Sequence, residues 1–135
     1  MKKGKYGHFS EDGYEYIITR PDTPAPWANY ASNGKYHAII SNTGGGISYY
    51  ITPRANRIIR WRYNSLPIDR PGRYIYLRDN SDGKYWSLTW QPVLKKLDSY
   101  QCRHGLGYTV ISSSYRDIYG EVLYFVPLKD DLEVW

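Results

Sequence analysis

The pair best placed for nucleophilic chemistry is Cys102 and His104, in the run Cys102-Arg103-His104-Gly105. A thiol with an imidazole base becomes a nucleophile when the two meet and a third group holds the ring. Residues two apart on a strand share a face, so the pair can meet, but the neighbouring sequence offers nothing to orient the imidazole. His8 and His37 lie far from it, without metal-ligand spacing, and with one cysteine no zinc or other metal site is expected. Of the 13 carboxylates, Asp12, Asp22, Asp79, Asp82, Asp98, Asp130 and Asp131 fall in turns or at strand ends. Glycoside hydrolysis needs two carboxyl groups across a cleft, roughly 5 to 10 Å apart. Asp69, between Ile68 and Arg70, is the one to watch, and an ion pair with Arg70 or Arg73 is its plain alternative. The run Asn42-Thr43-Gly44-Gly45-Gly46 invites a phosphate-loop reading. It lacks the Gly-Lys-Ser/Thr ending and a following helix, so it reads as a turn, or as a loop whose bare backbone lets a ligand come close. Trp27, Trp61, Trp86 and Trp90 are either a sugar-stacking platform or core.

The elements that position these residues are strands. Lys5 to Phe9 and Tyr14 to Thr19 flank an Asp12-Gly13 turn, where glycine accepts the positive φ of a hairpin. Arg20 to Pro26 contains three prolines and must be extended and irregular. Tyr36 to Ser41 reads as a buried strand leading into the glycine loop, and Ile47 to Ile51 as an aromatic strand leaving it. Arg57 to Tyr63 continues the sheet until the prolines of Leu66 to Gly72 break it. In Arg73 to Arg78, Tyr74 and Tyr76 face one way while Ile75 and Leu77 face the other. Asn80 to Gly83 supplies a second Asp-Gly turn, and Tyr85 to Trp90, Leu106 to Ser113 and Glu121 to Val126 complete the set. No segment keeps a 3.6-residue period for ten residues. The expectation is all-β, a sandwich or barrel-like sheet with little helix.

At 135 residues, one domain is expected. There are 16 Tyr and 5 Trp against 2 Phe, which suits half-exposed sheet faces and surfaces that touch sugars or proteins. The net charge of +5 is scattered. Its densest region runs from Arg54 to Arg78 and interleaves with Ile, Trp and Tyr as an outward strand face would, so nucleic acid is not the expected partner. A single cysteine forbids an internal disulfide and favours a reducing compartment. No apolar leader follows Met1-Lys2-Lys3-Gly4-Lys5 and no run reaches membrane-span length, so a cytoplasmic, non-membrane protein is expected. Leu128 to Trp135 keeps apolar residues to the last position, which suggests a piece of something longer.

Several strings resemble the N-terminal region of the cellobiose phosphorylase family (glycoside hydrolase family 94, inverting glycoside phosphorylases). They are Ile18-Thr19-Arg20-Pro21-Asp22-Thr23-Pro24-Ala25-Pro26-Trp27, Ile40-Ser41-Asn42-Thr43 with its glycines, and Arg60-Trp61-Arg62-Tyr63-Asn64. Asp69-Arg70-Pro71-Gly72-Arg73-Tyr74-Ile75-Tyr76-Leu77-Arg78-Asp79 follows, then Tyr85-Trp86-Ser87 and Trp90-Gln91-Pro92-Val93. Arg103-His104-Gly105-Leu106-Gly107-Tyr108 and Phe125-Val126-Pro127-Leu128 close the match. The strings keep the family's order over nearly the whole chain.

The resemblance implies the first part of a galactose-mutarotase-like super-sandwich. It also implies phosphorolysis of a β-linked disaccharide to α-glucose 1-phosphate and a free sugar, with inorganic phosphate as co-substrate and no cofactor. In such enzymes the acid and the phosphate clamp lie in a downstream (α/α)6 barrel, so this chain is expected to hold no catalytic residue. Family members are homodimers in which an N-terminal loop approaches the partner's active site. Asn42, Thr43, Gly44, Gly45 and Gly46, with Ile47, Tyr49 and Tyr50, are the candidate for that loop. Ile47 stands where relatives often have Tyr. Arg62-Tyr63-Asn64-Ser65-Leu66-Pro67 looks more like the cellobiose-acting than the chitobiose-acting members. A free-standing carbohydrate-binding module, a chitobiose-phosphorylase-type module and a small interaction protein with a basic face are the alternatives.

Overall fold

The computed structural model describes residues 4–60 and 71–135. Among these residues eleven strands run in chain order: β1 Gly7–Phe9, β2 Tyr16–Ile18, β3 Ala28–Ser32, β4 Tyr36–Ser41, β5 Gly46–Tyr50, β6 Arg57–Ile59, β7 Tyr76–Arg78, β8 Tyr85–Ser87, β9 Ser99–Gly105, β10 Tyr108–Tyr115 and β11 Ile118–Phe125. Among the described residues there is no helix. Every strand pair is antiparallel. The order is β1-β2-β9-β10-β11 in one sheet, β3-β4-β5-β6 in a second, and β7-β8 in a small third.

The core lies between the two large sheets and follows the alternation of the strands. In β4, Tyr36, Ala38 and Ile40 are buried while His37 and Ile39 are only partly covered. They meet Ile18, Cys102, Ile111, Val122 and Tyr124 of the five-stranded sheet. Burying one such aliphatic side chain contributes about 1.5–3 kcal/mol, enough to fix which face of each strand turns inward. Ile75 and Leu77 pack on the same core and Tyr76 is exposed, as the alternation from Arg73 to Arg78 requires.

Both Asp-Gly turns form. Gly13 has φ 76° and Gly83 φ 74°. Asp12 Oδ1 accepts the Tyr14 N–H at 3.1 Å, and Asp79 Oδ1 accepts the Ser81 N–H at 2.9 Å. Two strands go beyond the sequence expectation. β3 follows the proline segment directly, and β9 occupies the run that holds Cys102 and His104. The β10–β11 hairpin is longer than expected at both inner ends, because Arg116 and Asp117 take φ 54° and 65° and close it in two residues. The second half of the expected strand Arg57 to Tyr63, the break from Leu66, Trp61 and Asp69 lie outside the described residues.

Candidate functional site

The glycine loop joins β4 to β5 and is held from three sides. The Ser41 hydroxyl accepts the Gly45 N–H at 2.9 Å and the Thr43 N–H at 3.3 Å, and the Gly44 N–H donates to the Ser41 carbonyl at 3.0 Å. Gly44 has φ 80° and Gly46 φ 139°, regions that favour glycine. A Cβ at Gly46 would overlap the Ile39 carbonyl oxygen, and one at Gly44 would stand 3.0 Å from Thr89 Cγ2. The loop is therefore a defined surface rather than a loose turn.

Asn42 is the hub that ties this loop to the proline segment. It is 1% exposed, and its Oδ1 accepts the Trp27 N–H at 3.1 Å while its Nδ2 donates to the Pro21 carbonyl at 3.2 Å. Its own carbonyl accepts the Tyr100 hydroxyl from the opposite sheet.

Beneath the loop lies Arg73, 0% exposed. Its guanidinium donates to Glu133 Oε2 from Nε at 3.0 Å and from Nη2 at 2.7 Å, and reaches the Ile39 and Ile47 carbonyls at 3.3 Å each. Its backbone N–H donates to the Gly44 carbonyl at 2.7 Å, and its own carbonyl accepts the Tyr124 hydroxyl at 2.8 Å. A buried charge needs a partner and satisfied donors, and this one has both. Burial pushes the Tyr124 and Tyr100 hydroxyls up from the usual phenol range, so both stay neutral donors.

Loop, proline segment and Trp90 together enclose a cleft of about 500 Å3. Pro21, Pro24, Pro26 and Tyr74 form its apolar walls, and Asp22, Thr43 and Gln91 its polar edge. Among the tryptophans, Trp86 is core at 1% exposure, and Trp27 packs edge-on against Tyr6 and Tyr16. Trp90 alone of the described tryptophans lines the cleft.

A family model described as the glycosyl hydrolase 94 supersandwich domain matches residues 14–135. The chain belongs to this family. It is 49% identical over 133 residues to the N,N'-diacetylchitobiose phosphorylase of Vibrio proteolyticus, covering 97% of this chain and 16% of that protein. It is 38% identical over 130 residues to the 3-O-beta-D-glucopyranosyl-beta-D-glucuronide phosphorylase of Paenibacillus borealis, covering 96% of this chain and 16% of that protein. The same organism's solabiose phosphorylase is 36% identical over 131 residues, 96% of this chain and 17% of the relative. The chain thus spans about a sixth of the length of these relatives.

In this supersandwich domain the residues singled out by type fall into two groups. Asn42, Thr43, Gly45 and Gly46 line the cleft, with Gly44 packed beneath against Thr89 and the Arg73 carbonyl. Tyr49 and Tyr50 do not line it. Tyr49 stacks on His37 at 4.7 Å on the outer face of β4 and β5, while Tyr50 stands opposite Tyr36. The expectation that nothing orients His104 is corrected. Its Nε2–H donates to the Trp27 carbonyl at 3.0 Å, and Nδ1 lies 3.0 Å from the Thr109 hydroxyl, which serves it as donor. Burial holds the imidazole below its ordinary pKa and pushes the Cys102 thiol up, so the pair is a neutral packing contact at 3.8 Å, not a nucleophile.

The turn carboxylates are equally unsuited to acid work. The Ser10 hydroxyl pulls Asp12 down, the Ser81 hydroxyl does the same for Asp79, and the Lys84 backbone N–H takes Asp82 to about 2. All three are ionised at neutral pH and hold no proton to give. No cluster of three or more His, Cys, Asp or Glu suited to a metal occurs among the described residues. Nor does any helix there have the length and apolarity to cross a membrane. Sequence reasoning missed Arg73 with Glu133, and Gln91. The first pair is 60 residues apart and carries no local signal.

Proposed function

We propose that this chain is the N-terminal β-sandwich segment of a glycoside phosphorylase. The enzyme cleaves a β-linked disaccharide with inorganic phosphate, giving an α-sugar 1-phosphate and a free sugar. The observation that carries the reading is the supersandwich-domain match over residues 14–135, joined to relatives that are phosphorylases by name. In this reaction the glycosidic C–O bond breaks as a phosphate oxygen bonds to the anomeric carbon from the opposite face. One carboxylic acid protonates the leaving oxygen. The depressed turn carboxylates support a scaffold role for this segment, with the acid supplied from elsewhere. Its contribution is the braced loop Asn42 to Gly46, with Tyr49 and Tyr50 on the adjoining strand, presented to a site completed by another domain or a second copy. The working form is then a cytoplasmic homodimer that needs no cofactor beyond phosphate as co-substrate.

Cellobiose and N,N'-diacetylchitobiose are the two substrates of this reading. The string from Arg62 to Pro67 supports the first, and it lies outside the described residues. The 49% identity to a protein named for the second supports that one. The test replaces the matching segment of the Vibrio proteolyticus relative by this chain and measures sugar 1-phosphate from each disaccharide. Release by the chimera and none by the 135-residue chain alone is the expected result. Phosphorolysis by the chain alone, or a folded chimera inert on every β-disaccharide, overturns it.

A further inference from the structure

The cleft has a feature that the scaffold role does not use. Trp90 holds φ 68°, a left-handed conformation that costs an L-residue roughly 1–2 kcal/mol. It is fixed there by its N–H on the Ser87 carbonyl at 3.0 Å and by the Leu94 N–H on its own carbonyl at 2.8 Å. The neighbouring backbone is pinned too, with the Thr89 hydroxyl donating to the Gln91 carbonyl at 2.9 Å. Gln91 is only 9% exposed and lines the cleft, yet its side-chain amide makes no hydrogen bond among the described residues. That amide keeps contact with solvent, so a sugar's hydroxyls can take the place of water on it. The volume of about 500 Å3 lies within the range of roughly 300 to 1,000 Å3 of small-molecule sites.

We propose that this cleft binds a β-linked disaccharide on the chain itself, with the Trp90 indole under the apolar face of one pyranose ring. The occupant follows from the lining. One broad aromatic plane and proline walls match the axial C–H face of a sugar. Around them, the Gln91 amide offers both donors and an acceptor, Thr43 a hydroxyl and Asp22 a carboxylate, which match a rim of ring hydroxyls. The choice of a β-linked disaccharide rests on the phosphorylase reading above.

The test is calorimetry of the 135-residue chain with cellobiose and with N,N'-diacetylchitobiose, using maltose as the α-linked control. Trp90→Asn removes the ring while keeping a residue that accepts left-handed φ, so its melting temperature should not fall. It should weaken binding about tenfold or more, the loss of one aromatic contact, while Trp90→Tyr stays within about threefold of wild type. Gln91→Ala should weaken binding about three- to tenfold, one hydrogen bond's worth. Absence of heat from the wild-type chain with both β-linked sugars overturns the proposal, as does undiminished binding by a folded Trp90→Asn. Those outcomes leave sugar 1-phosphate release by the chimera as it was, and an inert chimera leaves the isotherm as it was. The two readings therefore fail separately.

Discussion

Gly46 and His104 show how single positions fix this part of the molecule. At Gly46 the φ of 139° and the Ile39 carbonyl together leave no room for a methyl group. Gly46→Ala should therefore cost about 3 kcal/mol or more, read as a lower urea midpoint. Gly13→Ala meets nothing within 4 Å and strains only its φ of 76°, so its cost should be smaller. His104 gives a pH dependence of definite sign. Burial holds its folded pKa below the ordinary 6.5, against a smaller opposing effect of the Trp27 carbonyl. The unfolded chain thus binds the extra proton first, and stability falls as pH drops through and below about 6.5. Urea midpoints between pH 5 and 8 should show that slope, and His104→Gln should flatten it.

At the scale of elements, what could be read beforehand was what local chemistry decides. The Asp12-Gly13 and Asp82-Gly83 turns, the buried alternation of β4 and the lack of helix among the described residues were all legible, because each follows from a few adjacent residues. The β10–β11 turn was not. Arg116 and Asp117 take left-handed φ without a glycine or asparagine to announce it. They are held by the Arg116 N–H on Asp98 at 2.8 Å and by its guanidinium on Asp82 at 2.7 Å. Because Asp117 carries strain and none of those bonds, Asp117→Gly should stabilise the hairpin by about 0.5–1 kcal/mol, seen as a higher melting temperature. The candidate site was half legible. The glycine run marked the loop, but the cleft needs the proline segment and Trp90, brought from 20 residues before and 45 after by sheet pairing that no short window contains.

Across the whole molecule, polar ties join the sheets alongside the core. The Asn29 amide donates to the Gly105 and Tyr108 carbonyls at 2.8 Å each, and the Asn33 amide to the Pro127 carbonyl at 3.1 Å and the Asp130 carbonyl at 2.9 Å. One folding unit is the expected behaviour, so circular dichroism and tryptophan fluorescence should report coincident urea transitions. Separate transitions would mean that the sheets unfold independently. The pairing of Arg73 with Glu133 carries a consequence for how the chain is made. A ribosome delivers the guanidinium long before the carboxylate that neutralises it. Until residue 133 has emerged, closing the sandwich would bury an uncompensated cation, which costs about 3–5 kcal/mol. The nascent sandwich should thus stay open until Glu133 is there to pair with Arg73. A chain stopped after Asp131 should remain open to protease where the 135-residue chain resists.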